Sequence, residues 1–323
     1  MKQKVFKSKH LLAPEYDNEV AALLFKYSDN MAELMKLDPN PAKEMLLGDS
    51  SVQPDGRLTL TSRFDGQEVT LFEYRPDAAV EEPLPVVFFI HGGNFISGTG
   101  DMQGTGMKLI ANENRAKVYS LEYRLATQAP FPAALHDAYA ALEYIHDHAA
   151  ELAIDRDRIV IFGESAGGGL AACLALYTRD QGRIHPCGQL LTYPMLDCRT
   201  VTADSHYDDP YCGEIFWTRN YIKLGWDMLR GKQDISSDML SYYSAALAPS
   251  LAGLPETFIT VGTLDLFVHE DIDYARRLIA SGVKTELHVI PGVYHGFDLL
   301  QADTPQTKEY IRLRTEAILR MVK

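Results

Sequence analysis

The chain has 323 residues, of which 46% are hydrophobic and 23% are charged, and its formal net charge is −13. The composition is that of a globular protein, and the length is sufficient for one large α/β domain or two smaller ones. The excess of acid argues against nucleic acid or an anionic membrane surface as a partner, since a phosphate-binding surface has to be basic.

The cysteines and the N-terminal residues indicate the cellular compartment. No two cysteines are two or three residues apart, so no zinc or redox motif is present, and we expect free thiols. They are Cys173, Cys187, Cys198 and Cys212. The first twenty residues lack the apolar region of a signal peptide, and no run approaches the ~18 apolar residues of a membrane span. We therefore expect a cytoplasmic protein.

The first predicted elements are a helix and a hairpin. Apolar residues recur at helical spacing from Val20 to Met35, and "LDPNP" ends this pattern. Two alternating runs follow, "RLTLTSRF" and "QEVTLFEYRP", and Asp65-Gly66 joins them. Such a pair of residues between alternating runs is a strong signal for a β-hairpin.

The rest of the chain alternates between short apolar runs and helical patterns. Strands buried on both faces have this character, because crossover helices cover the sheet above and below. The runs are "PVVFFIHGG", "KVYSLEY", "RIVIFG", "GQLLTYP", "TFITVG" and "TELHVI". The pattern predicts a mostly parallel sheet opened by an antiparallel hairpin. Ligands bind such sheets outside the carboxyl ends of the strands.

One segment, Thr202 to Ser244, interrupts this alternation and is rich in aromatic residues. It is typical of a lid inserted into an α/β core. Its aromatic side chains fit either of two roles, lining a substrate cavity or packing the lid against the core. They are Phe216, Trp217, Tyr221 and Trp226.

Ser165 lies at the centre of Gly163-Glu164-Ser165-Ala166-Gly167, between the strand "RIVIF" and a small-residue helix. This is the G-x-S-x-G pattern of a nucleophile elbow, where a sharp turn needs glycine on either side of the serine. The turn would project the hydroxyl above the sheet, over a helix N-terminus that favours developing negative charge. The alternative is a glycine-rich helix start with an N-capping serine.

Three further features follow the ends of other predicted strands. "FFIHGGNF" contains successive backbone N–H groups that could converge on an oxyanion, although a flexible loop would also use glycines. Asp265 follows "TFITVG", and His295 follows the last strand. The order Ser165, Asp265, His295 is that of the α/β-hydrolases, in which the imidazole takes the serine proton and the carboxylate orients the imidazole.

From about Pro85 to Asp298 the sequence resembles the hormone-sensitive-lipase family of α/β-hydrolases. Besides the motifs above, the resemblance lies in "YRLATQAPFPAALHDAYAAL", "LLTYPMLD" and "YYSAALAPSLAGLP". The resemblance implies an eight-stranded core (48–201 and 245–323) beneath a helical cap (1–47 and 202–244). It also implies hydrolysis of small, short-chain carboxylic esters without a cofactor, and a homodimer.

The resemblance further assigns the oxyanion donors to the N–H groups of Gly93, Asn94 and Ala166. The supporting turns carry the residues His91, Gly92, Gly163 and Gly167. Amide, peptide or lactone hydrolysis on the same machinery remains an alternative, as does a non-catalytic small-molecule receptor.

Two positions depart from the common family pattern. Glu164 stands where aspartate is frequent, and Asn94 replaces the last glycine of His-Gly-Gly-Gly. Asparagine tolerates positive φ, so a backbone donor survives. Its side chain would crowd the acyl side of the site or add a donor, and we predict that Asn94 narrows the acyl preference toward short chains.

The remaining acidic residues do not predict a metal site. We expect Asp208, Asp209 and Asp273 to be solvated or capping acids. Glu270 and Asp271 compete with Asp265 for the role of the acid that orients the imidazole. Because they lie where the next helix begins, we assign them to its first turn, where the helix dipole favours carboxylates.

Overall fold

The computed structural model describes residues 6–27, 50–79, 81, 83–203, 205–207 and 209–323. Within these residues one sheet of eight strands has the order β1-β2-β4-β3-β5-β6-β7-β8. The strands are β1 Gly56–Thr61, β2 Glu68–Tyr74, β3 Leu84–Ile90, β4 Lys117–Glu122, β5 Ile154–Glu164, β6 Gly188–Thr192, β7 Glu256–Gly262 and β8 Thr285–Ile290. The predicted eight-stranded α/β-hydrolase core is confirmed.

The sheet is parallel except at strand β2. This strand pairs antiparallel with β1 through the predicted hairpin, and also with β4 on its other side. Strand β3 lies between β4 and β5 and is parallel to both, with Ile90 opposite Gly163. The loops that follow β3 and β5 therefore leave the sheet side by side, at the point where the strand order reverses. Open α/β sheets bind their ligands at such a point.

Helices cover both faces of the sheet, so that every residue of β3 is buried. They are α1 Glu19–Tyr27, α2 Gly104–Asn114, α3 Ala133–Asp147, α4 Ala166–Gln181, α5 Arg219–Arg230, α6 Leu240–Tyr243, α7 Val268–Ala280, α8 Phe297–Leu300 and α9 Pro305–Met321. Local sequence sets their ends. Helix α9, for example, starts with Pro305 after Thr304, whose hydroxyl accepts from the Thr307 N–H.

The span predicted for the N-terminal helix is only partly within the described residues. Helix α1 ends at Tyr27, and the rest of the predicted span to Met35 lies outside them. The backbone N–H of Ser8 donates to Glu214 at 2.8 Å, so the N-terminal residues contact the segment between β6 and β7. In the parts of the chain described here, no helix combines the length and the apolar character needed to cross a membrane.

The predicted insertion, 202–244, lies between β6 and β7 and carries α5 and α6. Helix α5 buries residues at helical spacing, Ile222, Gly225, Trp226 and Leu229. Trp226 contacts Phe95 of the loop after β3, with 5.6 Å between ring centroids. This apolar stripe places α5 above the carboxyl ends of the strands.

Candidate active site

Ser165 occupies the sharp turn between β5 and α4. Its φ is 56°, a left-handed conformation that strains any residue with a Cβ. The chain approaches itself so closely here that a Cβ on Gly163 would lie 2.2 Å from the Gly167 carbonyl oxygen. A Cβ on Gly167 would lie 2.2 Å from the carbonyl oxygen of Ile90. Both glycines are therefore required by packing, as the elbow pattern predicts.

The serine hydroxyl faces a histidine rather than its own helix. Ser165 makes no side-chain capping bond to α4, and its Oγ lies 2.8 Å from Nε2 of His295. The other ring nitrogen, Nδ1, lies 2.7 Å from Oδ2 of Asp265. The second oxygen of Asp265 accepts from the Phe267 N–H at 3.0 Å. The structure thus brings together the three residues that the sequence singled out, and all three are buried.

Three aromatic rings enclose the imidazole of His295. The ring centroids of Tyr193, Phe267 and Trp217 lie 4.5, 5.2 and 5.9 Å from its own. The sequence analysis missed Tyr193, which directly follows β6. The only sequence signal was its place at the end of a buried strand, the feature that also marks Ser165. We infer that these rings restrict the imidazole to the orientation that reaches both Ser165 and Asp265.

The turn after β3 is held by His91. Its ring is buried against Tyr123, 4.4 Å between centroids, and its Nδ1 lies 2.7 Å from the Gly92 carbonyl oxygen. Burial lowers the pKa of His91 to about 4, so the ring is neutral near pH 7. The Ser97 hydroxyl donates to the Gly93 carbonyl oxygen at 3.0 Å, and Gly92 and Gly93 line the cavity beside Ser165.

Asn94 differs from its expected placement. Its backbone has φ 57°, as anticipated for this turn, but its side chain is fully buried beneath helix α5. The amide Nδ2 donates to the Tyr221 carbonyl oxygen at 2.8 Å. Gly225 leaves the space for Oδ1, since a Cβ there would lie 2.1 Å from this atom. The side chain therefore joins α5 to the turn after β3, and it is not among the residues that line the cavity beside Ser165.

This contact makes Gly225 sensitive to substitution. We expect Gly225→Ala to lower the free energy of unfolding by about 1–3 kcal/mol and to reduce kcat/KM, because α5 has to move off Asn94. The matched control is Gly106→Ala in α2, where a Cβ meets nothing within 4 Å. The control should gain roughly 0.5–1 kcal/mol from helix propensity. Thermal unfolding measures the stability of both variants, and ester kinetics measure their kcat/KM. Equal stability and equal kcat/KM in the two variants would show that Gly225 does not contact Asn94 as described.

The cavity beside Ser165 has a volume of about 60 Å³. Its walls include Met102, Gln103, Phe216, Trp217, Leu299 and Leu300. Of the four aromatic residues singled out from the sequence, Phe216 and Trp217 thus lie at the cavity. Trp226 lines a second, apolar cavity with Phe95, and the Tyr221 ring packs against Trp217 at 5.1 Å.

Two carboxyl groups lie beside the cavity, the buried one of Glu164 and the half-buried one of Asp298. The amide of Gln103 donates to Glu164 at 3.0 Å, and the hydroxyl of Tyr193 donates to Asp298 at 2.9 Å. Burial raises the pKa of Glu164, and the charge of Asp298 raises it further. Burial also raises the pKa of Asp298. The sequence analysis did not assign a role to this pair, since nothing in the spacing shows that the elbow meets α8.

The pair predicts how stability depends on pH. A carboxyl whose pKa is raised by folding binds more protons in the folded state, so its contribution to stability falls as pH rises above the unfolded value. We expect Glu164→Gln to remove this loss. The melting temperature of the variant minus that of the wild type should therefore increase by several degrees from pH 5 to pH 8. Glu68→Gln, at an exposed strand position, is the control. A difference between variant and wild type that stays constant with pH would contradict the assignment.

Glu270 and Asp271 lie in the first turn of α7, as predicted, but they are fully buried. Glu270 accepts from the backbone N–H groups of Leu196 and Asp197, at 2.6 and 3.1 Å. It therefore holds the loop after β6 and does not bond to His295. Burial raises the pKa of both carboxyls well above their usual range.

The sheet order and the elbow at the end of β5 define an α/β-hydrolase. A family profile described as alpha/beta hydrolase fold matches residues 87–299, about two thirds of the chain. The chain belongs to this family, the hormone-sensitive-lipase family of α/β-hydrolases, as the sequence motifs predicted.

Named relatives cover most of the chain. Carboxylesterase NlhH of Mycobacterium tuberculosis is 32% identical over 267 residues, 81% of this chain and 79% of that protein. Ethyl acetate hydrolase of Pseudomonas putida is 29% identical over 285 residues, 84% of this chain and 85% of that protein. Among solved structures, bacterial heroin esterase is 33% identical, with a TM-score of 0.78 over 98% of this chain and all of that one.

Proposed function

We propose that the protein is a serine carboxylesterase that hydrolyses small esters of short carboxylic acids. The observation that carries this proposal is the continuous contact from Ser165 Oγ through His295 to Asp265, with distances of 2.8 and 2.7 Å. The relatives named carboxylesterase, ethyl acetate hydrolase and heroin esterase support the class of carboxylic ester hydrolases.

The proposed reaction proceeds in two halves. Nε2 of His295 accepts the hydroxyl proton of Ser165 as Oγ attacks the ester carbonyl, and Asp265 holds Nδ1–H and stabilises the imidazolium. The proton then passes from Nε2 to the leaving alcohol, which leaves an acyl group on Ser165. Water, deprotonated by the same nitrogen, attacks this acyl-enzyme and releases the acid.

The developing oxyanion requires donors beside Ser165. Ala166 is the first residue of α4, and the first N–H groups of a helix have no partner within the helix. Gly93 lies in the cavity wall, and Asn94 follows it with a positive φ. We assign the three donors to the N–H groups of these residues, since the loss of one such donor costs an enzyme about 3–4 kcal/mol of transition-state stabilisation.

The size of the cavity supports a preference for short acyl groups. Its volume is about 60 Å³, and bulky side chains form much of its wall. Phe216 and Trp217, which belong to the inserted segment, form part of its wall. We propose that the inserted segment 202–244 and the described N-terminal residues, 6–27, form a cap over the core and that this cap limits the acyl length; residues 28–47 of the predicted cap lie outside the described residues.

Hydrolysis of p-nitrophenyl esters from acetate to decanoate tests the proposal. We expect kcat/KM to be highest for acetate to butyrate and to fall steeply for longer chains, as the acyl group meets Phe216 and Trp217. The matched anilides of the same acids are the comparison, and we expect them to react far more slowly. Faster turnover of the anilides would instead indicate an amidase. Binding of the esters without turnover would indicate a receptor.

A further inference from the structure

Three side chains of metal-binding types meet where the segment between β6 and β7 contacts helix α7. Asp209 and Cys212 belong to that segment, and His269 is the second residue of α7. Their ligand atoms, a carboxylate oxygen, Sγ and an imidazole nitrogen, all lie within 4.8 Å of one another. We propose that these three residues bind a zinc ion, which joins the inserted segment to the core.

Asp209 and His269 are also positioned by a second contact, and the Cys212 thiol has a hydrogen-bond partner that it would exchange for the ion. Oδ1 of Asp209 accepts from the Tyr211 N–H at 2.8 Å, which directs Oδ2 to Nε2 of His269, also at 2.8 Å. The thiol of Cys212 donates to the Thr263 carbonyl oxygen at 3.3 Å. The ring of Tyr207 is stacked over the imidazole, with 6.0 Å between centroids. Metal sites use such contacts to orient their ligands.

The set of donors selects the ion. A thiolate and an imidazole favour zinc over magnesium or calcium, and a carboxylate completes a common zinc set. Zinc-to-ligand bonds of about 2.0–2.3 Å place tetrahedral ligands roughly 3.3–3.8 Å apart, which is within the span of this cluster. On binding, the Cys212 thiol releases its proton to solvent and gives up its bond to Thr263, while Nε2 of His269 exchanges its contact with Asp209 for a bond to the ion.

The site is open enough for metal entry. The side chain of Asp209 is 28% exposed and that of His269 is 39% exposed, while Cys212 is half-buried. A fourth coordination position therefore faces solvent and would hold water. Asp209 and His269 are 60 residues apart in sequence. This separation explains why spacing did not predict the site, and why Asp209 was expected to be a solvated acid.

The test is metal binding by the full-length chain after dialysis against a chelator. Titration with Zn²⁺, followed by calorimetry, should give one site per chain. The affinity should fall about 10-fold to 100-fold or more in Cys212→Ser and in His269→Gln. Co²⁺ in place of Zn²⁺ should give a sulfur-to-cobalt charge-transfer band that Cys212→Ser removes. Zn²⁺ should also raise the melting temperature of the wild type by several degrees at 100 times the Kd.

Cys187→Ser is the matched control, since Cys187 is a second half-buried free thiol, whose Sγ bonds to the Ile159 carbonyl oxygen. We expect it to bind Zn²⁺ as the wild type does. The proposal fails if the wild type binds no stoichiometric Zn²⁺. It also fails if Cys212→Ser, folded by circular dichroism, binds as tightly as the wild type, because the ion would then lie elsewhere, for example on His295.

Discussion

Replacing Ser165 with alanine is expected to lower kcat for p-nitrophenyl acetate by on the order of 10⁶-fold. The variant loses the nucleophile, so neither the attack nor the acyl-enzyme can form, while the cavity keeps its shape. Alanine has the same Cβ as serine and tolerates φ 56° no worse, so we expect the melting temperature to stay within a few degrees. Steady-state kinetics and thermal unfolding on the same preparation measure both effects.

A covalent readout separates the nucleophile from a residue that only shapes the site. An organophosphate ester should add one phosphoryl group to the wild type by mass spectrometry and none to Ser165→Ala. The control is Ser250→Ala, an exposed serine, which should keep full activity and full labelling. If Ser165→Ala retained more than a tenth of wild-type kcat, the serine would be only the turn residue of a helix start.

The second large effect is expected at Asp265, where substitution by asparagine should lower kcat by about 10⁴-fold. Asparagine can keep the contact of Oδ1 with the Phe267 N–H, so the local backbone is preserved. The amide, however, would place a donor opposite Nδ1 of His295, which now lies 2.7 Å from Oδ2. The imidazole would then carry its proton on Nε2 and could not accept one from Ser165.

Glu270→Gln is the informative comparison for Asp265→Asn, because it substitutes another buried acid in the same region. The amide oxygen of glutamine can accept the same N–H bonds from Leu196 and Asp197, so this variant should keep the loop in place and retain kcat within a few fold. Thermal unfolding and kinetics below the melting point of the variant measure its stability and its kcat separately. If Glu270→Gln lost as much kcat as Asp265→Asn, the assignment of the acid role to Asp265 would be wrong.

The sheet could be predicted because each strand is a short apolar run with turn residues on either side. The order of Ser165, Asp265 and His295 then indicated which strand ends carry the site. The structure places these side chains within hydrogen-bond distance of one another. Their catalytic roles stay predictions. The sequence pattern was sufficient here because a parallel sheet collects the carboxyl ends of its strands at one edge.

What could not be predicted depends on contacts between distant segments. The direction of the Asn94 side chain is set by α5, which lies more than 120 residues further along the chain. Tyr193 and Asp298 meet under the cavity across 105 residues, and Asp209 meets His269 across 60. No local periodicity encodes such pairs, so these contacts became visible only in three dimensions.

The contact between Asn94 and Gly225 also makes the two positions unequal during evolution. A Cβ at position 225 would lie 2.1 Å from Oδ1 of Asn94 and 2.4 Å from its backbone carbonyl oxygen. A change of Asn94 to glycine would remove the first obstacle but keep the second, because every residue has that carbonyl. Position 94 can therefore lose its side chain while 225 stays glycine, whereas selection should keep glycine at 225 whichever residue stands at 94.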